Sequence, residues 1–373
     1  MSLCSADGGT LYLARDGALL FYVARNHTLE ARIGRTAMGI MFGRFVLPIS
    51  EASMAGFCAL TGQSLNFPDM HNLPEGTKFT HNAALDRRTG YATRSQLTIP
   101  MHDRHGHCVG VLQLVNAMGS DGPVPFDGED EMLIQAFAAQ AGISIQNAQL
   151  DELLRKSHQE TLFRLSSAAE YRDRETSNHI KRMSHYARLI SYQIGLSPSQ
   201  VDSVFQASPM HDVGKLGIPD SILHKPGMLD PDERRIMESH AIIGSRILEG
   251  SDVPVVQLAA IVALTHHEKW DGTGYPRGLA GRDIPLEGRI VALADVFDAL
   301  SSRRCYKAAW PEEKVLEFLA DQRGKHFDPD LVDAMLNAMP SVREIMTQYQ
   351  DTDDDFAMLE SPVRAIIQSA KHR

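Results

Sequence analysis

Cysteine is scarce in this chain. There are four, Cys4, Cys58, Cys108 and Cys305, and no two stand close together. That excludes a disulfide framework or a zinc ribbon and fits a reducing cytoplasm. Long hydrophobic runs are absent too. The longest, from Val255 to Leu264, is interrupted by Gln257 and is too short to span a bilayer. The chain does not open on a basic segment followed by an apolar one, so no secretory signal is expected. Positive charge is in deficit: 37 Lys and Arg against 47 Asp and Glu give a net charge of −10. A general nucleic-acid binder is usually basic, so nucleic acid is not an expected partner. An anionic substrate would then need a local positive site. No internal repeat or low-complexity tract is present.

What the chain has instead is a dense set of metal-ligand residue types. Its 373 residues leave room for two domains, and 43% hydrophobic content suits a packed globular protein. At the centre of this set stands His211-Asp212, inside Ser208-Pro-Met-His-Asp-Val-Gly-Lys-Leu-Gly-Ile-Pro219. A His beside an Asp offers one nitrogen donor and one carboxylate that can bridge two ions. Lys215, four residues after His211, would share its face on a helix and set a positive charge beside the metals. Glu175 and His179 have the same spacing, and His240, His266-His267 and Asp295 follow. A lone His on an apolar face is usually a satisfied core residue. Eight ligand-type residues between positions 175 and 295 would each need a separate partner if buried. Shared metal ions satisfy them together. Imidazole and carboxylate without thiolate suit iron, manganese, zinc or nickel in an open catalytic site. Eight ligands exceed the needs of one ion, so two or three are expected.

These motifs resemble the HD-GYP family of metal-dependent phosphodiesterases. The resemblance rests on Glu175-Thr-Ser-Asn-His179, His211-Asp-Val-Gly-Lys215, and His266-His-Glu-Lys-Trp-Asp-Gly-Thr-Gly-Tyr-Pro276. Asp295-Val-Phe-Asp-Ala-Leu300 and Arg304-Cys-Tyr-Lys307 complete it. It implies an all-α HD-superfamily catalytic domain over residues 166–340 that hydrolyses cyclic di-GMP to linear pGpG or GMP. It also implies that Glu175 serves a third metal, that Arg304 and Lys307 contact the dinucleotide, and that the loop holding Tyr275 borders the cleft and can meet protein partners. Iron is the first expectation for the metal and manganese the second. His211, Asp212 and Lys215 are the expected catalytic groups, with Lys215 and Tyr275 also touching substrate. Two alternatives stay open: hydrolysis of another cyclic dinucleotide such as cyclic GMP-AMP, and a non-catalytic receptor. Cys305 stands where the family commonly has Pro.

Residues 1–148 read as α+β. Thr10–Ala14 and Leu19–Ala24 flank Asp16-Gly17, a hairpin signal, and Ser95–Met101 and Cys108–Val115 flank a second turn. With Phe79-Thr-His-Asn, Asp86-Arg-Arg-Thr-Gly-Tyr-Ala-Thr-Arg-Ser95 and Gly110-Val-Leu-Gln-Leu-Val-Asn116, this part resembles a GAF domain. The resemblance implies a sensor or dimerisation role that regulates the hydrolase. His102, His105 and His107 flank a turn and read as an exposed polar loop. From Asp127 a helical pattern runs to about Ala169, so 149–165 is expected to be a connecting helix, with a homodimer along it. Residues 341–373 read as a tail with an acidic, solvated run, Gln348–Asp355.

Overall fold

The computed structural model describes residues 4–42, 46–81, 86–87, 89–173, 176–303, 308–353 and 355. The chain divides into two compact units, Met1–Arg155 and Lys156–Arg373. In the first, β1 (Ala6–Arg15) and β2 (Ala18–Asn26) form an antiparallel hairpin. Its turn residues Asp16 and Gly17 have φ of 49° and 77°, the left-handed pair that a two-residue hairpin needs. Next come α1 (His27–Ile33), α2 (Arg35–Phe42), β3 (Val46–Pro48), α3 (Met54–Thr61) and β4 (Leu65–Phe67). β5 (Gln96–His102), β6 (Cys108–Gly119) and β7 (Gly122–Val124) follow. The sheet order is β3-β2-β1-β6-β5-β4, with β7 on β6.

Side chains alternate across the two central strands. Leu97, Ile99, Met101 and Leu114 pack with Ile134 and Ala138 of α4 (Gly128–Arg172). On the opposite face Tyr12, Leu19 and Val111 pack with Ala55, Cys58 and Ala59 of α3. In the turn between β5 and β6, Asp103 accepts from the backbone N–H groups of His105 and His107, each at 2.8 Å. Its charge is thereby used by the turn. α4 begins as the sequence indicates: the Asp127 carboxylate accepts from Asp130 N at 2.8 Å, with Glu129, Asp130 and Glu131 in the first turn. It runs 45 residues without a break.

The second unit is helical. It contains α5 (Ser177–Gln193), α6 (Pro198–Ala207), α7 (Asp220–Leu223), α8 (Pro231–Glu238), α9 (His240–Leu248) and α10 (Pro254–Thr265). α11 (Leu286–Ser301), α12 (Glu312–Asp321), α13 (Pro329–Asn337) and α14 (Met339–Gln348) complete it. Met183, Tyr186, Ala187 and Ile190, spaced three, one and three apart on α5, meet Val262, Ile290, Leu293 and Phe297 in one core. Val342 of α14 is buried in that same core, so packing continues past residue 340, where a tail was expected to begin. The acidic run is also not wholly solvated: Arg182 donates to Asp351 at 2.8 Å, and the Asp351 side chain is 7% exposed. Among the described residues no helix is long and apolar enough to cross a membrane.

Candidate metal centre

His211 and Asp212 sit between two short 3-10 turns, Ser208–Met210 and Val213–Gly217, and not on an α-helix. The tighter winding changes the expected neighbour of Lys215. Its Nζ lies 2.6 Å from Asp212 Oδ2, three residues back, and also 2.5 Å from Asp173 and 3.5 Å from Glu170. Gly214 explains how this turn is seated. A Cβ there would lie 1.9 Å from the His240 carbonyl oxygen and 2.4 Å from Gly244 N, so only glycine lets the turn rest on α9. Arg172 holds the far end by donating to the carbonyl oxygens of Lys215 and Leu216, each at 2.8 Å, and of Ile218 at 2.7 Å.

His240 at the start of α9 and His266 just after α10 approach Asp212 from neighbouring helices. Their Nε2 atoms stand 3.1 and 3.3 Å from Asp212 Oδ1. His211 Nε2 is 3.4 Å from Asp212 Oδ2. In each ring the other nitrogen faces a backbone carbonyl: His240 Nδ1 to Met237 O at 2.7 Å, His266 Nδ1 to Ala263 O at 3.1 Å, His211 Nδ1 to Ser208 O at 3.1 Å. A carbonyl only accepts, so Nδ1 carries a proton, and an Nε2 that carries none presents a lone pair to the site. All three Nε2 atoms and Asp212 Oδ1 are buried without a hydrogen-bond partner. Lone pairs aimed at one another in a buried site call for cations between them. This donor set fits divalent metal ions.

The donors fall into three groups, two of which contain Asp212 and two His211. One holds Asp212, His240, His266 and His267, a second holds His179, His211 and Asp295, and a third holds Glu170, His211 and Asp212. His179 Nε2 is 3.6 Å from Asp295 Oδ1, and His211 Nε2 is 4.0 Å from it. Burial by itself lowers the His211 pKa, but the Asp212 carboxylate, with Asp295 and Glu170, outweighs it and pushes the value up to about 9. Burial alone would raise Asp212, yet Lys215 and His211 hold it well below the usual carboxylate range. Burial drives His267 well below an ordinary imidazole, which keeps it neutral and able to ligate.

An outer layer orients the donors. His179 Nδ1 lies 2.9 Å from Asp298, which also accepts from Arg182 at 2.7 and 2.9 Å. Burial opposes the ionised Asp298, but these partners lower its pKa to about 2. Tyr275 stacks on His267 with ring centroids 4.7 Å apart, and Tyr275 N donates to His267 O at 3.2 Å. The loop is fastened by Glu268, 2% exposed, which accepts from Arg277 N at 2.7 Å and Leu279 N at 2.9 Å. A Cβ at Gly274 would meet Lys269 N at 2.3 Å, so glycine is required there as well.

Seven of the eight ligand-type residues singled out in the sequence therefore lie within these three groups: His179, His211, Asp212, His240, His266, His267 and Asp295. Glu175, Arg304 and Lys307 lie outside the described residues. Glu170, Asp298 and Glu268 were missed. Glu268 and Asp298 stood inside the quoted motifs, but nothing in one-dimensional spacing distinguishes a carboxylate that grips a loop or a ligand from an exposed one. The HD domain family matches residues 162–331 and the GAF domain family matches residues 1–145.

The chain joins a GAF domain to an HD domain.

Relatives of this GAF–HD chain include three bacterial proteins. The cyclic di-GMP phosphodiesterase response regulator RpfG of Xanthomonas campestris pv. campestris is 51% identical over 190 residues, 51% of this chain and 50% of that protein. The 3'3'-cGAMP-specific phosphodiesterase 2 of Vibrio cholerae is 46% identical over 207 residues, 56% of this chain and 40% of that protein. A cyclic di-GMP phosphodiesterase of Thermotoga maritima is 45% identical over 194 residues, 52% of this chain and 53% of that protein. The chain thus spans about half, or less, of the length of these relatives.

Proposed function

We propose that the HD domain is a metal-dependent phosphodiesterase that opens cyclic di-GMP to linear pGpG or carries it on to GMP. The observation that carries this reading is the convergence of three buried imidazole nitrogens on the two oxygens of Asp212. The names of two relatives, at 51% and 45% identity, support the substrate. Two or three divalent ions, iron first and manganese next, would be held by the three donor groups, with Asp212 shared and Glu175 available to a further ion. When bound, such ions supply Lewis acidity and acidify bound water. The chain's own groups do the rest. Asp212, held well below the usual carboxylate range, stays ionised, the histidine Nε2 atoms would be the nitrogen donors, Lys215 sets a positive charge against Asp212 where phosphate charge develops, and Asp298 fixes the His179 ring. Arg304 and Lys307 are the proposed grips on phosphate or a guanine edge. Tyr275, over His267, borders the cleft, and its loop offers a surface to protein partners. The bond broken is that of phosphorus to a ribose 3′ oxygen.

A second substrate, 3'3'-cGAMP, is favoured by the 46% identity to a protein named as specific for it. Turnover of purified, metal-loaded chain on each dinucleotide, with products separated by chromatography, decides between them. Preference for cyclic di-GMP by tenfold or more in kcat/KM is expected. No turnover of either would leave a receptor and overturn the proposal.

We also propose a homodimer in the cytoplasm. Cys4, Cys58 and Cys108 are free thiols, as a reducing compartment allows. Along the first part of α4, Met132, Ala136, Ala139, Ile143, Leu150 and Leu153 alternate at spacings of four and three, with one gap of seven, on the side turned away from the sheet. Met132, Leu150 and Leu153 are 70%, 48% and 63% exposed, a seam suited to a second copy of the same helix.

A further inference from the structure

The GAF domain carries a histidine and carboxylate cluster of its own. His71, His81 and Asp86 each offer one ligand atom, and these atoms lie within 4.8 Å of one another. His81 Nε2 is 3.1 Å from Asp86 Oδ2. Two donors held on one ion at bonds of about 2.0–2.1 Å stand roughly 3 Å apart, so this edge already has ligand spacing. Asp86 is positioned from behind: Thr93 N donates to Oδ2 at 2.9 Å and Thr93 Oγ1 to Oδ1 at 3.1 Å. A carboxylate has about four lone-pair sites, so acceptor capacity remains, and such fastening is what a ligating carboxylate needs. The His81 and Asp86 side chains are each only 13% exposed.

The site has a neighbour that gives it meaning. His81 and Asp86 line a cavity of about 220 Å³ whose walls are mainly apolar, with Tyr12, Phe21, Met38 and Leu47 among them and Gln96 and Gln113 as polar points. His71 is not part of that lining and is exposed. An ion seated among the three would take His71 from the solvent side and keep free positions toward the cavity. Two histidines and one carboxylate with open positions suit a divalent first-row ion such as Fe(II) or Zn(II). A plain His81–Asp86 hydrogen bond would clamp this loop without any third donor.

We infer that His71, His81 and Asp86 form a binding site for a divalent transition-metal ion at the edge of the GAF cavity, with a free position for an oxygen or nitrogen donor of a molecule held there. The probe is Co(II) added to the full chain after chelator stripping. Bound cobalt is counted by equilibrium dialysis in wild type, in His71→Gln and in the pair His71→Gln/His81→Gln, where glutamine keeps a donor toward Asp86. We expect wild type to bind one equivalent more than the double variant. The difference visible spectrum should shift when imidazole fills the open position. His71→Gln alone, at an exposed site, keeps the fold and should weaken that equivalent at least tenfold. Equal cobalt counts and affinities in wild type and His71→Gln would reduce the cluster to a loop clamp and overturn the inference.

Discussion

At the scale of the residue, Asp212 is the point on which the HD domain turns, because both its oxygens are surrounded by nitrogen atoms. Replacing it by Asn keeps the shape but turns one acceptor into a donor. That amide can donate to His240 or His266 Nε2, so the metal-free protein should keep its melting temperature while metal is lost. We expect Asp212→Asn to lose at least one metal equivalent by elemental analysis and more than about 100-fold in hydrolysis, beyond the usual effect of an outer partner. Unchanged metal content would remove Asp212 from the shared position. A second residue reports on stability. His326 is half-buried with its ring stacked on Phe327, and desolvation, followed by the charge of Lys269, lowers its pKa from 6.5 to about 4. The folded state keeps it neutral while the unfolded chain takes up a proton below pH 6.5. Its contribution is therefore fully present above 6.5 and is lost as pH falls toward 4. Between pH 7 and pH 5 this amounts to roughly 2 kcal/mol, from about 1.4 kcal/mol per pH unit. Denaturant titrations of wild type and His326→Gln should show the wild type losing that much more over this range. Parallel pH profiles would mean the ring is not protected.

At the scale of the element, the site depends on how closely the 3-10 turn approaches α9. Gly214→Ala would drive a methyl group into the His240 carbonyl, which lies 1.9 Å from the ideal Cβ position. Overpacking of this kind costs about 1–3 kcal/mol, and relieving it must separate Asp212 from His240. We expect a lower melting temperature, lost metal and activity reduced tenfold or more, whereas Gly250→Ala, with no atom within 4 Å of its Cβ, should change only stability. Equal activity losses in the two would break this link. The contrast also shows what was legible in the sequence. The hairpin at Asp16-Gly17, the helix start at Asp127 and most residues that gather at the candidate metal centre could be read because each has a local cause: a turn conformation, a cap, a side-chain chemistry. The pairing of Lys215 with Asp212 could not, since a 3-10 turn and an α-helix share the same residues and differ only in winding. The GAF cluster was equally hidden. Three histidines close in sequence, His102, His105 and His107, flank an exposed turn, whereas the donors that meet, His71, His81 and Asp86, come from separate stretches.

At the scale of the whole molecule, the question is what covers the outer face of α4 within the GAF unit. Ile134, Ala138 and Ile145 of that helix are committed to the sheet. Met132, Leu150 and Leu153 are not, and these three long apolar side chains at coiled-coil spacing on one exposed face are the seam of the proposed homodimer. Glutamate at Leu150 and Leu153 would place like charges opposite each other across a parallel pair, while leaving the packed face untouched. Sedimentation at micromolar concentration should show wild type at twice the mass of the 41.2 kDa chain and the Leu150→Glu/Leu153→Glu variant at that mass. Circular dichroism should be unchanged apart from a small loss of helix near the substitutions. If hydrolysis by the monomeric variant falls although its metal content is intact, the dimer sets catalytic output. If the variant stays dimeric, the copies meet elsewhere and the stripe belongs to another partner.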